Sequence, residues 1–292
     1  MLLSTKKLST NIFDNQSDFL KKTKKLIVGL SQSLTSYKNI FWLKTISNYT
    51  DFNDCYLIIS KSDYKNLEKN DSLNPSINHL ICKEKYSPRL SFCIICHECS
   101  IKNKFVNDTK KHKKNKNIEI LGSVLISENV EIGDGTIIYP NVVIFENVKI
   151  GKNCIIRENS TLGSMGMGFE KNLDGSWIKF PQVGGLIIGD DVEIGSHSDI
   201  KKGALRNTII NNNCKLGSFT NIGHNCIIGE SCLFTSHCVV AGSVEIGNNL
   251  FMGINSSIKN KIKIGANVMI GANSYVNKNI NNDETVYGSP IK

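Results

Sequence analysis

No stretch of this sequence approaches the ~18 consecutive apolar residues that a membrane-spanning helix needs, so integral membrane contact is not expected. Residues Met1 to Thr10 lack the apolar core of a secretion signal, and a cytoplasmic location is expected. The lysine-rich tract Lys102 to Lys116 has a single aromatic, Phe105, and matches no nucleic-acid module, so it reads as a solvated linker and nucleic acid is not expected as a partner. That tract holds seven lysines and one aspartate; of the +9 net charge it accounts for +6, which leaves +3 for the rest of the 292 residues. A second CxxC pair is also missing. Cys93, Cys96 and Cys99 flank His97 and Glu98, but a three-residue spacing puts all three thiols on one helix face, and no metal site is expected. In a cytoplasmic chain of this size, ten cysteines read as thiols.

What the sequence does have is a six-residue rhythm. From residue 118 onward large apolar residues fall at Ile120, Ile126, Ile132, Ile138, Ile144, Ile150, Ile156 and Leu162, then at Ile188, Ile194 and Ile200. They resume from Ile210 through Leu216, Ile222, Ile228 and Phe234 to Val276, for 23 positions in all. Glycine often follows the apolar residue, as in Gly133, Gly151, Gly195, Gly223 and Gly265, and is expected to turn the corner with unusual dihedrals. Four residues after it a small or β-branched residue recurs, including Thr136, Val142, Cys154, Ser198, Cys214, Thr220, Cys226, Cys232 and Cys238. Short extended segments joined at tight corners fit this pattern. Three sides make an 18-residue coil, and nearly eight coils stacked at the strand spacing make a parallel prism roughly 37 Å tall. The cysteines in the small-residue slot are core fillers.

Two interruptions break the rhythm. One is Gly166 to Gly185, with Phe169, Trp177 and Gln182; the other is the four residues Ala204 to Asn207. Loops on a rigid scaffold are where binding function concentrates. Residues 1–100 show no hexads; Cys55 to Ser60 and His79 to Cys82 read as strands and Arg89 to Cys99 as a helix, giving a small α/β domain. The expected organisation is that domain over 1–100, a linker over 101–117, a β-helix over 118–280 carrying the loop 166–185, and a tail over 281–292.

Among the histidines, His224 is located by the rhythm: Ile222 points inward, Gly223 turns, and His224 follows at the outer corner. Its imidazole suits general-base work on an amine or hydroxyl. Eighteen residues on, Gly242 should lie one coil along, with a backbone N–H open to close approach. A base and an amide donor beside one acyl carbonyl are the minimum for acyl transfer. His197 and His237 lack such a pairing and read as surface or interface residues.

The rhythm resembles the hexapeptide acyltransferases. Within that superfamily the segments Gly166 to Gly185 (GMGFEKNLDGSWIKFPQVGG), Ile188 to Ile194 (IGDDVEI), Lys202 to Leu205 (KGAL) and Ile222 to Gly229 (IGHNCIIG) are similar to the UDP-3-O-(3-hydroxyacyl)glucosamine N-acyltransferases of lipid A synthesis over about 160 residues. The resemblance implies a mainly β fold, a left-handed parallel β-helix with a small N-terminal α/β domain, assembled as a homotrimer. It implies His224 as general base and Gly242 as oxyanion donor. Phe169, Trp177, Gln182 and Asn225 are implied as substrate contacts, with Trp42 and Tyr49 as candidates for stacking on uracil. No bound cofactor is implied; an acyl-acyl carrier protein or acyl-CoA would serve as donor, with a UDP-amino sugar as acceptor and Lys259 and Lys261 near the donor's phosphates.

Departures accompany the likeness. Ile200-Lys201-Lys202-Gly203-Ala204 stands where the family has Ile-Asp-Arg-Gly-Ala, Leu216-Gly217-Ser218 stands for Ile-Asp-Asn, and Lys261 replaces a histidine. The segment Ile270 to Pro290 resembles the closing segment of coenzyme A dependent sugar acetyltransferases rather than the family's carrier-protein-docking helices. Three readings stay open: the N-acyltransferase, a coenzyme A dependent acetyltransferase on a sugar amine or hydroxyl, and a non-catalytic β-helix scaffold.

Overall fold

A computed structural model describes residues 2–4, 12–13, 25–28, 39–42, 55–73, 75, 77–99 and 117–291. The chain separates into two compact units, one of Met1–Asn103 with Met167–Val183, the other of Lys104–Gly166 with Gly184–Lys292. The linker residues 101–116 lie outside the described residues.

The larger unit is a left-handed parallel β-solenoid. Each hexad contributes a strand of two to four residues, and the strands stack into three faces of nine, eight and seven. Face 1 begins at Glu119–Ile120, face 2 at Leu125–Ile126 and face 3 at Glu131–Ile132. Neighbouring strands in a face are one coil apart, as in Asn221↔Val239 and Ile222↔Val240 on face 2 or Ile227↔Glu245 on face 3. The hexad residues from Ile126 to Val276 point inward into one continuous core. Ile120, in the first coil, is still 36% exposed because it has only one neighbouring layer.

The small-residue slot has a second reason beyond volume. Its side chains donate to corner carbonyls of the next coil: Thr136 Oγ1 to Gly151 O at 3.0 Å, Ser160 Oγ to Gly195 O at 2.9 Å, Cys214 Sγ to Gly229 O at 3.1 Å and Cys226 Sγ to Ala241 O at 3.2 Å. A short donor therefore satisfies a buried acceptor that the strand ladder passes by.

Among the corner glycines only Gly163 carries an unusual dihedral, φ +79°; the expectation fails for the others. The left-handed residue is the third after the apolar one, as in Asn141, Asn159, Asn213, Asn225, Asn249 and Asn273, all near φ +60°. Asparagine tolerates that region better than most side chains. The glycines serve close approach instead: a Cβ on Gly133 would lie 2.6 Å from the Gly151 carbonyl carbon, and one on Gly195 2.4 Å from Ser218 N.

The smaller unit holds a five-stranded sheet in sequential order: β1 (Leu2–Ser4), β2 (Lys25–Val28), β3 (Asn39–Trp42), β4 (Cys55–Ile59) and β5 (Ile77–Ile81). Only the β1–β2 pair is antiparallel. Helix α1 (Lys61–Lys69) is capped by Ser60, whose hydroxyl accepts from Asp63 N–H; α2 (Pro88–Cys99) follows β5. The first interruption joins this unit. It forms an antiparallel hairpin, Phe169–Lys171 with Trp177–Lys179, and its Phe180 meets Phe92 and Arg89 of α2 while Glu170 pairs with Arg89. Cys93, buried in α2, has its thiol pushed up to about 12 by burial and by Glu170.

Two measurements follow. Ile210 is sandwiched between Ile188 and Ile228, so Ile210→Ala should cost about 2–5 kcal/mol in urea unfolding, whereas Lys215→Ala on the outer surface should cost about 0.5 kcal/mol or less. Burial lowers the pKa of His79 on β5 below that of an ordinary histidine. The unfolded chain then binds the proton more tightly, so the stability of this unit should be full above pH ~6.5 and fall as pH drops through the folded value. His79→Gln should flatten that dependence in pH-resolved thermal melts.

Candidate active site

The corner between faces 2 and 3 carries the predicted pair. Asn221–Ile222 forms the face-2 strand, Gly223 and His224 round the corner, and Ile227–Ile228 begins face 3. One coil on, Val239–Val240 leads through Ala241 to Gly242 in the same register. The imidazole of His224 lies against the bare Cα of Gly242: a Cβ there would come within 2.7 Å of Nε2 and 2.8 Å of Cε1. Glycine at 242 is therefore a steric requirement of this ring position. The ring is half-buried, with Nδ1 turned inward.

Much of the main chain around the pair is used in hydrogen bonds between coils. Gly223 N–H donates to Val240 O at 2.7 Å, Ala241 N–H to Ile258 O at 3.0 Å and Ser243 N–H to His224 O at 2.8 Å. Between the last two, the Gly242 N–H has no acceptor among the described residues. An amide donor left open beside an imidazole can bind developing negative charge on an oxygen.

Other residues hold this corner. Asn225, at φ +62°, accepts from Ala204 N–H through Oδ1 at 2.7 Å, and its own N–H donates to Thr208 Oγ1 at 2.9 Å. Its side-chain oxygen is thus committed to the second interruption. Lys202 stands one coil before His224 in the face-2 register; only 2% of its side chain is exposed and it pairs with Glu146. Lys201 pairs with Asp199 and donates to Ser164 at 3.0 Å. The rhythm alone could not reveal these cations as paired, because Glu146 lies two coils from Lys202. Cys226, two residues from His224, points inward and burial pushes its thiol up to about 11, which removes it as a nucleophile.

Of the other predicted residues, Phe169 and Trp177 stand exposed on the hairpin, Trp177 by 67%, while Gln182 is 2% exposed. Trp42 closes β3, and Tyr49 lies outside the described residues. Lys259 and Lys261 are exposed in the coils beyond Gly242, and Lys261 N–H donates to Gly242 O at 3.1 Å. His197 and His237 do have a partner. They sandwich Phe219 in near-parallel stacks at 5.0 and 4.7 Å on the face 1–face 2 corner, all three in left-handed backbone. A groove of about 520 Å³ beside that corner is lined by Arg157, Glu193, Ser196, Lys215, Ser218 and Leu233.

Residues 129–164 and 207–242 match the family model described as "Bacterial transferase hexapeptide (six repeats)". A 67-residue stretch is 49% identical to a UDP-3-O-acylglucosamine N-acyltransferase of Dechloromonas aromatica, covering 23% of this chain and 19% of that protein. A relative of the same name from Coxiella burnetii is 46% identical over 66 residues, again 23% and 19%. The matched stretch thus spans about a fifth of the length of these relatives. Among solved structures, LpxA from Acinetobacter baumannii is 27% identical with a TM-score of 0.52, covering 61% of this chain and 69% of that one. The UDP-N-acetylglucosamine acyltransferase of Francisella novicida, 24% identical with a TM-score of 0.50 over 60% of this chain and 64% of its own, shares the fold. The second matched block holds both His224 and Gly242, and over these segments the chain is similar to the bacterial hexapeptide transferases and to the UDP-3-O-acylglucosamine N-acyltransferases.

Proposed function

We propose that this protein is an N-acyltransferase that moves an acyl group from a thioester to the amine of a UDP-linked amino sugar of the UDP-3-O-acylglucosamine type, in lipid A or surface-polysaccharide synthesis. The observation that carries the reading is the imidazole of His224 packed on Gly242, beside an open main-chain amide. The acceptor amine attacks the thioester carbonyl; His224 takes the proton as the C–N bond forms, and the Gly242 N–H holds the oxyanion of the tetrahedral adduct. Collapse breaks the C–S bond, and the imidazolium returns the proton to the departing thiolate.

The thioester is carried by acyl carrier protein or coenzyme A. The likeness of Ile270 to Pro290 to coenzyme A dependent sugar acetyltransferases supports the second donor; in this segment Thr285–Val286 adds a strand to face 1 beside Met269–Ile270. A cytoplasmic homotrimer is part of the reading. Leu233, Phe251 and Met269 on face 1, Val239 and Tyr275 on face 2, and Ile254 at the edge between them are all exposed, which supports association with further copies. Among the described residues no helix is long and apolar enough to cross a membrane. Trp42 and Tyr49 are the candidates for uracil, Phe169, Trp177, Gln182 and Asn225 for further substrate contacts, and Lys259 and Lys261 for the donor's phosphates.

His224→Ala should lower turnover by roughly 10²–10⁴ with the assembly unchanged in sedimentation. Wild-type turnover in that variant would reject the assignment. Mass spectrometry after offering acetyl-CoA and hydroxyacyl carrier protein, each with a UDP-amino sugar, should reveal one acylated amine; a product from acetyl-CoA alone would select the acetyltransferase reading. Absence of product with both, together with failure to bind any nucleotide sugar, would favour a scaffold.

A further inference from the structure

The four residues that break the rhythm, Ala204 to Asn207, form a built corner. Gly184 N–H donates to Ala204 O at 3.0 Å, Gly203 N–H to Gly185 O at 3.0 Å and Gly185 N–H to Asn207 Oδ1 at 2.8 Å, while Ala204 N–H is held by Asn225. A Cβ on Gly203 would fall 1.5 Å from the Arg206 carbonyl oxygen, and one on Gly184 would fall 2.3 Å from the same atom. Both glycines are needed to seat the backbone of Arg206, so its side chain starts from a fixed point.

That point belongs to the corner of His224. On face 3, Ile209 pairs with Ile227 and Ile227 with Glu245. Arg206, His224 and Gly242 each stand three residues before one of these, so the three occur in this order along the same corner. Yet Arg206 Nη2 lies 3.7 Å from Glu245 Oε1, two steps along. The side chain therefore climbs past the level of His224 to that of Gly242.

Its charge is not matched there. Glu245 also accepts Lys263 Nζ at 3.1 Å through its other oxygen, so two cations share one carboxylate and the arginine contact is the longer. The other cations of the corner each have their own acid: Lys202 has Glu146 and Lys201 has Asp199. The Arg206 side chain is 48% exposed, and its partner Glu245 is 39% exposed. Releasing a pair this exposed and this long costs little.

We propose, on the acyl-transfer reading above, that Arg206 is an anion-binding, specificity-determining residue of the His224 site. Its guanidinium takes a phosphate of a reacting partner and so aligns that partner with His224. A planar fork of donors matches phosphate geometry. The phosphate belongs either to the nucleotide diphosphate of the acceptor or to the phosphopantetheine arm of the donor, and the experiment separates the two.

UDP and coenzyme A are titrated separately by calorimetry into the wild type, Arg206→Gln and Arg206→Lys, with melting temperatures as the folding control. Arg206→Gln should weaken binding of the partner it serves by roughly 10–100-fold. A loss for UDP assigns the acceptor diphosphate, a loss for coenzyme A the donor arm, and a loss for both a shared subsite. KM for that substrate should rise in step, with kcat less affected, and Arg206→Lys should restore part of the affinity. Wild-type affinity for both probes in a folded Arg206→Gln protein overturns the inference, as does a wild type that binds neither. A wild type that binds a probe through Arg206 yet transfers no acyl group would leave this inference standing and remove the role given to His224.

Discussion

The rise of one strand spacing per 18 residues is the constraint on which the rest of the molecule depends. Parallel ladders fix the height of each coil, and the apolar layer of one coil is buried only against the next. Within uninterrupted coils, residues 18 apart are consequently stacked, whatever their chemistry. At the face 2–face 3 corner this brings an imidazole onto a glycine, with the backbone of Arg206 before them where the count is broken by four residues. The chemistry thus depends on register, and register is protected by the whole stack.

Much of the prism was legible because each inward apolar residue is buried by itself, so a period of six survives with no help from long-range contacts. The pair His224 and Gly242 was legible for the same reason. The glycine rule was misjudged: the left-handed conformation falls two residues later, on asparagines such as Asn225 and Asn213, and the glycines are demanded by the backbone of the next coil. Helix α1 was missed because Leu67 is its only buried residue, which leaves no apolar period to read.

The interruptions were visible as gaps, but their structures were not. The hairpin from Phe169 to Lys179 takes its packing from α2, about 80 residues earlier, through Arg89 and Phe92. The corner at Ala204 to Asn207 depends on glycines at 184 and 203 that approach one carbonyl from two segments. Likewise the stack of His197, Phe219 and His237 spans a coil lengthened by those four residues, so counting by 18 aligns Phe219 with His237 but misses His197, 22 residues before Phe219.

The acyl-transfer account treats the imidazole and the main-chain amide as two sides of one transition state. A double-mutant cycle on turnover tests whether the two positions act together, using His224→Ala, Gly242→Ala, whose Cβ crowds the imidazole, and the double variant. Groups that act as a unit are strongly non-additive, so the double variant should be within roughly threefold of the slower single variant. Losses that multiply in full would mean that the two residues serve separate steps or separate sites, and would contradict the account.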